Sequence, residues 1–99
     1  KERVVGLGIL DPEHNEINAL YMHPQVVGTG FGKGMLQELE ARAIRNGIDQ
    51  LALFATLNAL DFYAHHGYVR DGKAVHDLPN GVVLECIAMH KNLGPHYTP

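Results

Sequence analysis

Four glycines at every second position, Gly28, Gly30, Gly32 and Gly34, stand between an apolar stretch ending in Met22-His23-Pro24 and an amphipathic stretch beginning at Lys33. Glycines there let the backbone curl and leave no side chains in the way. The segment is therefore a turn joining a strand to the start of a helix. Bare backbone at that place lets several amide N–H groups converge on an anion at the positive end of the helix dipole. A phosphate-bearing ligand suits it, and the plain alternative is a tight connection with no ligand. Two better-known phosphate loops fail on spacing. The Walker pattern needs glycine at 27 and serine or threonine at 34, where Val27 and Gly34 stand; the dinucleotide pattern G-x-G-x-x-G needs glycine at Lys33 or Met35.

The segments around the turn supply the elements it should join. Val4 to Leu10 and Glu16 to Met22, separated by Asp11-Pro12 and a polar turn, read as an antiparallel hairpin. From Lys33 to Asn46 the residues Met35, Leu36, Leu39, Ala43 and Ile44 recur at helical spacing, and Gly47 stands where a helix C-terminus accepts positive φ. Leu51 to Ala55 is an uninterrupted apolar run, expected to be a central strand covered on both faces. A short second helix opens at Asn58 as its N-cap and closes at Gly67. Asp71-Gly72 and Pro79-Asn80-Gly81 read as turns, and Val82 to His90 as the final strand. The expected class is a mixed-sheet α/β fold, an antiparallel hairpin and then β-α-β-α-β, forming a single domain over 1–93 with a flexible tail over 94–99.

A formal charge of -3 with no Lys/Arg-rich block argues against a nucleic-acid partner. No apolar run approaches a membrane span. The single cysteine, Cys86, sits in an apolar stretch, so a reducing cytoplasmic setting is the default and the thiol is expected to be buried and inert. Seven histidines invite a metal reading, but adjacent His65 and His66 point about 100° apart on a helix and cannot share one face as ligands, so no metal site is expected.

Two ordered motifs carry a resemblance. Leu20-Tyr21-Met22-His23-Pro24 followed by Gly28-x-Gly30-x-Gly32-x-x-Met35-Leu36 resembles the cofactor motif of the GNAT superfamily of acyl-CoA-dependent N-acyltransferases, written Q/R-x-x-G-x-G/A. Anchored on Gly30 and Gly32, Val27 occupies the Gln/Arg position; anchored on Gln25, the motif reads Gln25-x-x-Gly28-x-Gly30. The first register keeps Met35 and Leu36 at the family's apolar pair. Downstream, Asn58 to Tyr68 resembles the family's A-x-x-F-Y-x-x-x-G-F/Y helix, with Thr56 where many members carry asparagine, and Met89-His90-Lys91-Asn92-Leu93 resembles the M-x-K-x-L ending of bacterial members. The family's domain has a further strand and two helices ahead of the hairpin. Since the sequence opens at Lys1 already reading as a strand, it is expected to be part of a longer chain or a shortened member.

The resemblance implies acetyl-CoA as co-substrate, without a metal, and an amine acceptor. Cofactor contacts would fall on Leu20, Tyr21 and Met22, whose backbone would pair with the pantetheine arm and point an N–H at the thioester oxygen, and on Val27, Gly28, Thr29, Gly30, Phe31, Gly32 and Lys33 around the pyrophosphate. Asn58 and Tyr63 complete the set. Tyr63 matches the family's general acid toward the departing thiolate; as an ordinary core aromatic beside Phe62 it would have no such role. Glu16, fourteen positions before Gly30, matches the general-base glutamate of the histone-modifying branch, and otherwise is a solvated strand end. The alternative to turnover is a non-catalytic acyl-CoA-binding module, and the final strand is a candidate surface for a homodimer.

Overall fold

In the computed structural model, residues 6–22, 28–77 and 79–94 are described. Their contacts group the chain into two compact units, one running to Leu51 and resuming at Asn92, the other spanning Ala52–Lys91.

In the first unit, β1 (Gly6–Asp11) and β2 (Glu16–Met22) pair antiparallel, from Gly6 opposite Met22 to Asp11 opposite Glu16. Asp11 shapes their connection. Its Oδ1 accepts the backbone N–H of Glu13 at 3.1 Å and of His14 at 3.4 Å, and Asn15 turns the chain with φ 54°. Helix α1 (Phe31–Arg45) lies against both strands and buries Leu36, Leu39 and Ala43 at the predicted three- and four-residue spacing. It comes so near β1 that a Cβ on Gly8 would stand 3.1 Å from Leu39 Cδ1. At its far end Gly47, at φ 78°, donates to Ile44 O and Ile48 donates to Ala43 O. That is a Schellman ending, with Ile48 and Ala43 both buried beside it. Leu93 N donates to Asp49 O at 2.7 Å, tying the end of the chain's core to the start of β3.

The second unit holds most of β3 (Gln50–Thr56), a 3₁₀ turn (Leu57–Ala59), α2 (Leu60–His65), β4 (Val69–Asp77) and most of β5 (Val83–Asn92). Its strands lie in the order β3-β5-β4. Helix α2 ends as α1 does. Gly67, at φ 96°, donates to Ala64 O, Tyr68 donates to Tyr63 O, and the rings of Tyr63 and Tyr68 meet edge to face at 5.7 Å. Lys91 then places its Nζ 5.7 Å from the Tyr68 ring centroid, while Met89 is buried. The M-x-K-x-L ending thus has a packing role at each of its three marked positions, since Leu93 is buried too.

The mixed α/β class stands, with three corrections to its details. Asp71-Gly72 is not a turn between elements but a bulge inside β4, where the pairing moves from Arg70 opposite Met89 to Gly72 opposite Ala88. An Asp-Gly pair suits both a turn and a bulge, so β4 escapes a reading of the sequence, and the hairpin turn falls instead at Pro79-Asn80-Gly81. Strand β3 is buried on one face only: Leu51, Leu53 and Ala55 are buried, whereas Phe54 is 51% exposed. Asn58 is not an N-cap but lies within the 3₁₀ turn, whose cap position is Thr56 and whose start carries no side-chain cap. The first strand is described from Gly6, and the tail beyond Gly94 lies outside the described residues.

Candidate functional site

The glycine-rich turn has the geometry its composition requires. Gly28 and Gly30 adopt φ 83° and 89°, and Gly30 is the N-cap of α1, its carbonyl accepting the first helical bond from Gly34 N at 3.1 Å. No side chain caps this end and no acidic residue occupies the first turn. Helical geometry gives the N–H groups of Phe31, Gly32 and Lys33 no partner within the helix. A Cβ built at Gly28 or at Gly30 meets nothing within 4 Å among the described residues. Thr29 and Lys33 are exposed and Phe31 half-buried, while Gly32 is buried. Among the described residues these features fit a phosphate group: amides without a partner inside the helix, and no acidic side chain in the helix's first turn. Val27 lies outside the described residues.

Strand β2 leads toward this turn. The backbone of Leu20, Tyr21 and Met22 pairs on one side with Gly8, Leu7 and Gly6. Two residues earlier the register shifts, from Ile9 opposite Ala19 to Leu10 opposite Ile17, so Asn18 is the extra residue of a bulge. A bulge re-aims the backbone groups beside it. The only hint in the sequence was an asparagine, poorly suited to strands, between Ile17 and Ala19. Glu16, half-buried, is the first residue of β2 and lies at the opposite end of the strand from Met22, about 20 Å away at the usual rise per residue.

In the second unit Tyr63 is only 7% exposed. Its ring meets Phe62 edge-on at 5.2 Å and Tyr68 at 5.7 Å. Burial pushes the phenol above its ordinary pKa, so it holds its proton throughout the neutral range. Asn58 is exposed in the 3₁₀ turn that leads into the same helix.

Other groups have local explanations. Asp11, Glu13 and His14 bring possible ligand atoms within 4.8 Å of one another, in the exposed β1-β2 turn. Asp11 and His14 already pair at 2.8 Å, which lowers the Asp11 pKa and raises that of His14, chiefly through their hydrogen bond. Cys86 is buried, and its thiol donates to Ala74 O at 3.6 Å. Among the described residues no helix is long and apolar enough to cross a membrane.

Comparison with known proteins agrees with this reading of the fold. The family model described as an acetyltransferase (GNAT) domain matches residues 1–85. No curated protein matches the chain. Among solved structures, a GCN5-related N-acetyltransferase from Rhodopseudomonas palustris is 33% identical, with a TM-score of 0.83 over 90% of this chain and 54% of its own. An acetyltransferase of the GNAT family from Staphylococcus aureus Mu50 is 19% identical, with a TM-score of 0.73 over 92% of this chain and 61% of its own. The yncA protein of Salmonella typhimurium, solved with its cofactor acetyl-CoA, is 24% identical, with a TM-score of 0.64 over 91% of this chain and 55% of its own. The chain thus spans little more than half the length of the R. palustris and S. typhimurium proteins.

Proposed function

Because the chain belongs to the GNAT acetyltransferase domain family, we propose that it carries the coenzyme-binding part of an N-acetyltransferase that moves an acetyl group from acetyl-CoA to a primary amine. The observation that carries this reading is the start of α1 behind Gly28 and Gly30, which among the described residues has no side-chain cap and no acidic residue in its first turn, with nothing within 4 Å of a Cβ built at either glycine. The pyrophosphate of CoA would rest on the backbone from Gly28 to Lys33, and the pantetheine arm would run along the backbone of Leu20 to Met22.

Acyl transfer then follows in one displacement. The neutral amine nitrogen attacks the thioester carbon, the C–N bond forms, and a backbone N–H of β2 holds the developing oxyanion. Collapse breaks the C–S bond. The surplus amine proton leaves to water, with Glu16 as the acceptor behind that water, and the thiolate takes the phenolic proton of Tyr63. From ordinary values of about 10 for tyrosine and 8.5 for a thiol, that last transfer is uphill by about 2 kcal/mol. Burial of Tyr63 raises its pKa further, which makes the phenol a weaker acid toward the thiolate.

The direct test mixes the chain with acetyl-CoA and a panel of primary amines and follows release of the free CoA thiol together with the acetylated amine. Equal, amine-dependent amounts of both support direct transfer. CoA binding without thiol release under any amine would assign the chain to the non-catalytic module instead.

A further inference from the structure

The β4-β5 hairpin carries a second feature that the acyl-transfer reading does not use. A cavity of about 250 Å³ opens among Leu57, Val75, Ala74 and Ile87, with Lys73 and Glu85 also lining it. Leu57 is 58% and Val75 66% exposed, so the mouth of the cavity is apolar and open to solvent. In the ladder Lys73 stands opposite Ile87 and Val75 opposite Glu85. Residues directly opposite share a face, and so do alternate residues along a strand. Lys73, Val75, Glu85 and Ile87 therefore form one patch, with its two opposite charges on a diagonal of roughly 7–8 Å between Cβ positions. Among the described residues neither charge makes an ion pair.

We propose that this cavity binds a free α-amino acid with an aliphatic side chain. The ligand's carboxylate would meet the Lys73 ammonium, its ammonium would meet the Glu85 carboxylate, and its side chain would cover Leu57, Val75 and Ile87. The charges argue for this class over others. A fatty acid would leave Glu85 facing a like charge, a nucleotide would be repelled by it, and a peptide N-terminus brings no carboxylate beside its ammonium for Lys73. The cavity is smaller than the pockets that hold drug-sized ligands, and its volume suits a molecule the size of leucine. As a binding site the inference stands alone; as the acceptor site of the transferase it rests on the reading given above.

The test is an NMR or calorimetric titration of the chain, without CoA, using L-leucine, isoamylamine and isocaproate. Leucine should bind saturably and each single-charge analogue about tenfold more weakly, since each forfeits one charge-assisted hydrogen bond. In Lys73→Met leucine should lose its advantage over isoamylamine but keep it over isocaproate; in Glu85→Gln the pattern should reverse. Both side chains are exposed, so the variants should fold, and unchanged far-UV circular dichroism checks that. Equal binding of the three compounds, no saturation at millimolar leucine, or variants that discriminate as the parent does would each overturn the proposal. A CoA titration of the same samples reports separately on the acyl-transfer reading.

Discussion

A phenol in a buried ring cluster has two descriptions, packing and proton donor, and Tyr63→Phe separates them because it keeps the ring and removes only the hydroxyl. On the mechanism above, kcat should fall by about 10²–10⁴-fold with acetyl-CoA binding nearly intact. A kcat and alkaline limb equal to the parent's would leave Tyr63 as packing alone. The raised phenol pKa has its own signature. Below pH 10 the group is neutral in both folded and unfolded chains and is silent. Above it the unfolded chain ionises first, so stability falls as pH rises, and Tyr63→Phe should flatten that alkaline fall in a denaturation series. At the β1-β2 turn the signs work on both sides. The raised His14 pKa gives stability that is present below about 6.5 and lost as pH rises through the folded value, whereas the lowered Asp11 pKa gives stability present above about 3.8 and lost on acidification. His14 is exposed and Asp11 half-buried at the surface, where such a pair adds little to stability, so the effect belongs to the titration more than to the fold. Asp11→Asn should bring the His14 midpoint, followed by NMR, back toward its ordinary value; an unmoved midpoint would show that the pair does not persist in solution.

Which elements could be read from the residues depended on whether the signal was local. Both helix ends were legible because Gly47 and Gly67 meet a backbone demand that few other residues can, and the helical spacing of Leu36, Leu39 and Ala43 reports one buried stripe. The glycine turn was legible for the same reason. The exposed face of β3 was not, because Ala52 and Phe54 interrupt no apolar run, and their exposure is decided by what packs over them. Strand β4 was hidden by a bulge that uses turn residues, and the bulge at Asn18 by the fact that register belongs to two strands at once. Within α1, a Cβ on Gly34 meets nothing within 4 Å. Gly34→Ala should therefore stabilise the chain by up to about 1 kcal/mol, measured by chemical denaturation. A loss of stability would mean that the first turns of α1 are not helical as described. Leu36, 2% exposed on the inner stripe, should by contrast cost about 2–5 kcal/mol when changed to alanine.

For the molecule as a whole, family membership and a site built mainly of backbone point the same way. The chain carries a net charge of -3, yet its proposed ligand is a polyanion, so binding must come from local donors and not from the overall field. On the proposed reading the amides at the start of α1 would be such donors, and Lys33 is the one cation in that helical turn. The most direct test is the melting of the parent chain and of Gly30→Asp, each with and without CoA. Gly30→Asp sets a carboxylate beside these amides and also strains a position at φ 89°. The parent should gain about 2.7 kcal/mol at a CoA concentration 100 times its dissociation constant, and the variant, folded but melting somewhat lower, should gain nothing. A parent indifferent to CoA, or a variant stabilised as much as the parent, would contradict the assignment of this turn as the phosphate site.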